Sequence, residues 1–80
     1  MHYVYMLQSE LDSERWYTGA SADLKTCLTE HNSGKSPYTA KFKPWRLMTY
    51  IGFDDQQKAV AFERYLKSGS GRAFAIGHLR

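Results

Sequence analysis

The sequence predicts a small α+β domain in which short strands pack with two or three helices. Three observations predict it. Three stretches read as short apolar strands, two further stretches carry apolar residues at helical spacing, and 80 residues suffice for one hydrophobic core but not for two. We therefore expect residues 1–80 to form a single layered domain with the order strand, strand, helix, loop, strand, helix and a short last helix.

The first two strands are predicted at Tyr3 to Gln8 and at Arg15 to Ala20. The first stretch is apolar on both faces, as expected of a strand that is covered on both sides. The second is rich in aromatic residues and ends near Gly19. A short polar segment, Ser9 to Glu14, separates them, so that the two strands are expected to form an antiparallel hairpin.

A helix is predicted next, with Ser21 as its N-cap and Asp23 in the first turn, where the helix dipole favours negative charge. Its apolar face consists of residues at positions i, i+3, i+4 and i+7, which are Leu24, Cys27, Leu28 and His31. Gly34 suits the left-handed position that ends such a helix. The segment Lys35 to Lys43 is expected to be a basic loop.

The third strand is predicted at Trp45 to Phe53, where apolar residues alternate. Asp54 or Asp55 caps the following helix, whose apolar stripe contains Ala59, Phe62 and Leu66. The glycine- and serine-rich segment Lys67 to Arg72 is expected to break this helix. Ser70 is the predicted N-cap of a short C-terminal helix.

Composition excludes several classes of protein. A single cysteine excludes an internal disulfide framework and a multi-thiolate metal site within one chain. No apolar run approaches the roughly 20 residues that span a bilayer, and no secretory leader is visible. We therefore expect no membrane partner and a cytoplasmic location.

The net charge of +3 is unevenly distributed along the chain. Residues 1–34 contain two basic and five acidic side chains, whereas residues 35–80 contain nine basic and three acidic ones. The second part would attract a polyanion such as nucleic acid, although a solvated basic surface gives the same composition. Aromatic residues are interleaved with the cations of the loop and of the strand that follows, which are Lys35, Lys41, Lys43 and Arg46.

Four side chains stand out as candidates for chemistry. Glu63 falls within or beside an apolar helical stripe, where a carboxylate needs a cation, a proton or a salt bridge. His31 lies on the apolar face of its helix, although a histidine there is often only a donor to the last carbonyl groups. Tyr5 and Tyr17 lie on neighbouring strands and could converge on one sheet face, or simply pack in the core.

Five segments, in this order and spacing, resemble the GIY-YIG nuclease family. They are Tyr3-Val4-Tyr5, Tyr17-Thr18-Gly19, the run from Asp23 to Gly34, Pro44 to Leu47, and Ala59 to Lys67. The resemblance covers about Tyr3 to Arg72 and is strongest to small stand-alone members related to the nuclease domain of the bacterial excision-repair endonuclease. It implies a three-stranded antiparallel sheet flanked by two to three helices.

The resemblance also implies metal-dependent hydrolysis of DNA phosphodiester bonds, as in repair or recombination. Tyr5, Tyr17 and His31 match the family's catalytic positions, and Gly19 matches the glycine of the second tripeptide. Glu63 matches the metal-binding carboxylate and would hold one Mg²⁺ or Mn²⁺ ion. Basic residues would hold the DNA, and besides the loop cations these are Arg64, Lys67 and Arg72. A protein partner or a dimer would supply specificity.

The chain departs from the family pattern at Cys27, where the family has an arginine that faces the scissile phosphate. A thiol is short and neutral at pH 7, so that it cannot neutralise the negative charge that develops on the phosphate in the transition state. The position is open to four interpretations: a slow or inactive protein that still binds nucleic acid, replacement by Arg64, Lys67 or Arg72, an inactivating substitution, or a cysteine nucleophile. The sequence therefore leaves three possible functions: an endonuclease, a nucleic-acid-binding module without turnover, and a protein-interaction domain.

Overall fold

An antiparallel three-stranded sheet forms the centre of the fold, and the predicted α+β class is confirmed. The computed structural model describes residues 1–80. The strands are β1 (His2–Ser9), β2 (Trp16–Ser21) and β3 (Trp45–Phe53), and they are arranged in the order β2-β1-β3. The helices are α1 (Leu24–Ser33), α2 (Pro37–Ala40), α3 (Gln56–Lys67) and α4 (Gly69–His78). None of these helices is both long and apolar enough to cross a membrane.

The central strand β1 divides the core into two parts because successive side chains of a strand point to opposite faces. Val4 and Met6 pack against α3 and α4, where the buried partners are Ala59, Leu66 and Ala75. Tyr5 and Leu7 point the other way and pack with Trp45 and with the apolar side of α1. Burial on both faces of β1 agrees with its almost continuous apolar sequence.

A β-bulge at Met48 directs the side chains of β3 that lie before and after it to opposite faces of the sheet. Met6 pairs with Thr49 and Leu7 pairs with Leu47, so that Met48 is an extra residue in the ladder. On one side of the bulge Thr49 donates a hydrogen bond to the carbonyl oxygen of Leu79 at 2.7 Å. On the other side Leu47 packs with the α1 cluster. One edge strand thereby contributes to both parts of the core.

Two predicted helix caps are wrong by two residues. Asp23, not Ser21, caps α1: its carboxylate accepts a hydrogen bond from the Thr26 amide at 3.1 Å, and this bond and that of the Thr26 hydroxyl lower the pKa of Asp23. Ser68, not Ser70, caps α4 by accepting from the Gly71 amide at 3.1 Å. In both places two residues of the N-cap type lie within three positions, so that sequence alone does not choose between them.

The segment predicted as a basic loop contains the short helix α2. Pro37 occupies its first turn, where backbone amide protons have no acceptor within the helix, so that proline's missing amide proton costs no hydrogen bond. The indole Nε1 of Trp45 donates to the carbonyl oxygen of Thr39 at 2.8 Å, and the side chain of Asn32 bonds to both backbone groups of Trp45. These bonds hold α2 and the end of α1 against the start of β3.

Helices α3 and α4 approach closely at Gly71, which is buried. A Cβ atom at this position would collide with the carbonyl group of Tyr65. Only Ser68 separates the two helices, so that the predicted break is a sharp corner rather than a loop. This corner brings Lys67 and Arg72 to the same end of the molecule.

Candidate active site

The hydroxyl group of Tyr5 is the centre of a buried polar cluster formed by β1 and α1. Its Oη atom lies 3.0 Å from Nε2 of His31 and 2.7 Å from Sγ of Cys27. Tyr5 itself is only 3% exposed. Spacing predicts that Cys27 and His31 share one helical face, and in the structure that face meets the tyrosine.

His31 is buried and uses both ring nitrogens within the protein. Its Nδ1 atom lies 3.1 Å from the hydroxyl oxygen of Thr39, which is fully buried. The ring of Tyr17 packs beside it with centroids 4.7 Å apart. His31 therefore does not act as a cap for the last carbonyl groups of α1. Burial lowers the pKa of His31, partly offset by Glu30, so that the imidazole is neutral at pH 7.

The environment of Tyr5 holds its hydroxyl group in the protonated form. Burial is the largest cause that raises its pKa, and the hydrogen bond and charge of Cys27 act in the same direction. The charges of Tyr17 and Glu63 raise this pKa further. A tyrosinate formed in advance of the reaction is therefore disfavoured, and any proton taken up by Tyr5 must be passed on.

Gly19 allows the ring of Tyr5 to reach this position. The two residues pair across β1 and β2, and a Cβ atom on Gly19 would stand 2.5 Å from Oη and 2.7 Å from Cζ of Tyr5. The atoms that would clash belong to the buried ring of Tyr5. The glycine of the second tripeptide is thus explained by close packing against the tyrosine of the first.

Replacing Gly19 by alanine is expected to displace the Tyr5 ring and to lower the free energy of unfolding by about 1–3 kcal/mol. Urea denaturation measures the change. Gly77→Ala is the matched control, because nothing lies within 4 Å of the added atom near the C-terminal end of α4. The control is expected to be as stable as the wild type, or more stable by up to ~1 kcal/mol. Equal stability of Gly19→Ala and wild type would contradict this packing argument.

Glu63 is partly exposed and is paired with a lysine one turn along α3. Its Oε2 atom lies 3.2 Å from Nζ of Lys67, and the two side chains are 22% and 54% exposed, respectively. The salt bridge considered from the sequence is therefore present. Glu63 nevertheless remains open to solvent, and its charge is felt at Tyr5.

A metal ion at this site would have few protein ligands. No group of three or more histidine, cysteine, aspartate or glutamate side chains could hold a metal ion. A single accessible carboxylate fits Mg²⁺, which keeps several water molecules and binds through one or two carboxylates and substrate phosphates. The same donor set does not fit Zn²⁺, which requires three or four protein ligands.

A groove of about 450 Å³ runs beside this cluster along the free edge of β2. Tyr17 lines it, together with the exposed ring of Tyr38. Four cations also line it, and these are Arg15, Lys67, Arg72 and Arg80, with Glu14 as the single carboxylate. The groove thus joins positive charge to aromatic faces, the combination that suits a nucleic-acid backbone with accessible bases.

Sequence reasoning missed Arg15 and Arg80 as groove residues. Arg15 lies over the ring of Phe42 at 4.8 Å and is paired with Asp12, and Arg80 lies over the ring of Trp16 at the same distance. The adjacent Arg15-Trp16-Tyr17 sequence was a usable signal for the first residue. No signal near Arg80 indicates that the end of α4 returns to β2.

The predicted nucleic-acid-binding residues are not all brought together. Lys67 and Arg72 line the groove, whereas Arg64 faces a separate depression on the outer side of α3. Lys35, Lys41, Lys43 and Arg46 are exposed but are absent from the groove lining, which Tyr38 of α2 does reach. Their role in binding stays a prediction.

Known proteins resemble this chain over nearly its whole length. The model of the GIY-YIG catalytic domain matches residues 1–74. A UPF0213 protein of Streptococcus pyogenes serotype M5 is 33% identical over 76 residues, which are 94% of this chain and 83% of the relative. A UPF0213 protein of Haloquadratum walsbyi is 35% identical over 68 residues, which are 84% and 74% of the two chains.

A solved structure agrees with these matches. The solution NMR structure of a UPF0213 protein from Bacillus halodurans has a TM-score of 0.57 at 32% identity, and the match covers 95% of this chain and 82% of that one. The chain therefore belongs to the GIY-YIG family, a family of nuclease-type domains. Within that family its relatives are the UPF0213 proteins, whose name states no activity.

Proposed function

We propose that this protein is a metal-dependent DNA endonuclease that acts in DNA repair or recombination. The observation that carries the proposal is the contact between the Tyr5 hydroxyl and the His31 imidazole beside a groove lined with four cations. Membership of a nuclease-type family supports the same reading. A second protein or a dimer would supply sequence or structure preference, since the chain leaves little surface for reading bases.

The proton path follows from the hydrogen bonds of Tyr5 and His31. Both nitrogens of His31 are engaged within the protein, whereas the Tyr5 hydroxyl, which donates to His31 and accepts from Cys27, keeps a second lone pair that an attacking water would use. As the water oxygen bonds to phosphorus, its proton passes to Oη of Tyr5 and the phenolic proton passes to Nε2 of His31. The P–O bond to the leaving oxygen breaks, and that oxygen is protonated from solvent. No free tyrosinate is required, in agreement with the raised pKa of Tyr5.

Glu63 would hold the divalent cation, Mg²⁺ or Mn²⁺. When bound there, such an ion polarises a phosphoryl oxygen and stabilises charge on the leaving oxygen. The ammonium group of Lys67 contacts Oε2 and would compete with an ion for that oxygen. Lys67 also lines the groove, where it would be available to a phosphate.

Groove cations would supply charge that Cys27 cannot. The Cys27 side chain is short, half-buried and bonded to Tyr5, so that it does not act as a substitute for an arginine. Lys67, Arg72 and Arg80 line the groove instead. Burial lowers the pKa of Arg80, and the positive charge of Arg72 adds to this effect. A bound phosphate would relieve the repulsion between these two guanidinium groups.

A second candidate function is a nucleic-acid-binding module with the same fold and little turnover. Cys27 favours it, since loss of a phosphate-facing arginine lowers phosphoryl-transfer rates by ~10³ or more in other enzymes. Salt-sensitive DNA binding without cleavage would distinguish this function from the first. Absence of any nucleic-acid binding at low salt would favour a protein-interaction domain instead.

Nicking of supercoiled plasmid and of branched DNA tests the proposal. We expect slow nicking in Mg²⁺ or Mn²⁺ and none in EDTA, and we expect Cys27→Arg to raise the rate at least ~10-fold because it restores a cation near the reacting phosphate. Thr29→Arg is the matched control, since it adds the same charge at an exposed position of α1. If neither wild type nor Cys27→Arg cleaves either substrate, the endonuclease proposal fails.

A further inference from the structure

We propose that Thr39 is a positioning residue that fixes the proton of His31 on Nδ1 and thereby presents an unprotonated Nε2 to Tyr5. The inference deepens the proposed function, because the proton path above needs a free lone pair on Nε2. Thr39 lies in α2, outside the five segments that carry the family resemblance.

The hydroxyl group of Thr39 contacts His31 in a fully enclosed place. Its Oγ1 atom lies 3.1 Å from Nδ1 of His31, and Thr39 is 0% exposed. The same hydroxyl faces the carbonyl oxygen of Ser36 at 3.5 Å, where it can donate its own proton. Its lone pairs are then free to accept the Nδ1 proton of His31.

The hydrogen bonds of Tyr5 favour the same proton arrangement. Its hydroxyl group has two partners in the structure, the Cys27 thiol and Nε2 of His31. With the histidine proton on Nδ1, the thiol donates to Oη and the phenol donates to Nε2, so that every donor has a good acceptor. With the proton on Nε2, the imidazole and the thiol would both donate to Oη, and the phenol proton would have only sulfur, a weak acceptor.

Burial lowers the pKa of His31 although the charge of Glu30 opposes it, so that the imidazole is neutral and a choice between tautomers exists. The titratable groups near the imidazole are Tyr5 from β1, Tyr17 from β2, and Cys27 and Glu30 from α1 itself. None of them contacts Nδ1, which only Thr39 reaches. The threonine hydroxyl therefore sets the tautomer from the Nδ1 side, and the hydrogen bonds of Tyr5 act in the same direction from the Nε2 side.

The backbone of Thr39 is held as firmly as its side chain. Its carbonyl oxygen accepts hydrogen bonds from the Trp45 indole at 2.8 Å and from the Phe42 amide at 3.2 Å. Trp45 belongs to the same core cluster as Tyr5. The same part of the core therefore holds both Thr39, which orients His31, and Tyr5, which donates to it. This is the arrangement by which outer groups orient reactive imidazoles in other sites.

Nitrogen-15 NMR of His31 tests the inference without any activity. Wild-type protein at pH 7.5 is expected to carry the proton on Nδ1, and a proton on Nε2 would overturn the proposal at once. Thr39→Val keeps the shape and leaves a buried Nδ1–H without an acceptor, so that the proton is expected to shift toward Nε2 although the Tyr5 bonds oppose this shift; an unchanged tautomer would overturn the proposal. Thr39→Ser keeps the hydroxyl and is expected to retain the wild-type tautomer.

Cleavage rates separate this inference from the proposed function. We expect Thr39→Val to lower the rate ~10–100-fold with unchanged DNA affinity, and Thr39→Ser to stay within ~3-fold. A rate for Thr39→Val equal to wild type, with a changed tautomer, would refute the positioning role. If no variant cleaves DNA, the endonuclease proposal fails, whereas the NMR result still decides whether Thr39 sets the tautomer.

Discussion

Replacing Glu63 with glutamine is expected to lower metal-dependent DNA cleavage by about 10³-fold, because the neutral amide cannot hold a divalent cation that supplies several kcal/mol of transition-state stabilisation. Folding should hardly change. The partly exposed pair with Lys67 is an i,i+4 helix pair, which contributes only about 0.3–0.5 kcal/mol. Plasmid nicking at saturating Mg²⁺ measures the rate, and urea denaturation measures the stability.

Glu14→Gln is the control for this prediction, since Glu14 is the only carboxylate that lines the groove. It removes the same charge and is expected to change the rate by less than ~3-fold. Binding of Mn²⁺, followed by paramagnetic broadening of NMR signals around the site, should be lost in Glu63→Gln and kept in Glu14→Gln. Cleavage by Glu63→Gln within ~3-fold of wild type would show that the metal is held elsewhere.

Strand and helix periodicity allowed the sheet and the helices α1 and α3 to be predicted, whereas a shared site for Tyr5 and His31 was implied only by the family resemblance. β3 was predicted with its observed bounds, since its alternation continues through the bulge. The bulge itself was not predicted. The inserted residue places Leu47 and Thr49 on opposite faces of the sheet, but buried and exposed positions still alternate along β3. The sequence pattern therefore does not reveal the bulge.

The rest of the site depends on contacts between residues far apart in the chain. The segment that contains Thr39 was predicted as a basic loop, and only the bond from Trp45 shows why this segment forms a helix against the core. Arg80 approaches β2 because α4 turns back sharply after Ser68, a corner that depends on close packing at Gly71. Local spacing carries no information about such approaches, so it did not show that Arg64 faces the outer side of α3 rather than the groove.

Reversing the charge of two groove residues, in Arg72→Glu combined with Arg80→Glu, is expected to weaken DNA binding about 100-fold at 100 mM salt. Both guanidinium groups line the groove, and each phosphate contact contributes a released counterion. The slope of log affinity against log salt should therefore become shallower by about 2. Fluorescence anisotropy of a labelled oligonucleotide between 50 and roughly 300 mM salt measures both quantities.

The double variant Lys58→Glu with Arg64→Glu distinguishes a groove from a diffuse basic surface. It changes the net charge by the same amount at exposed positions of α3 that do not line the groove. If the groove holds the DNA, this variant should lose less than ~5-fold in affinity and keep nearly the wild-type salt slope, because long-range attraction is screened beyond about 10 Å at 0.1 M salt. Equal losses in the two double variants would mean that the charge of residues 35–80 acts as a whole, and the groove would then lose its assigned role.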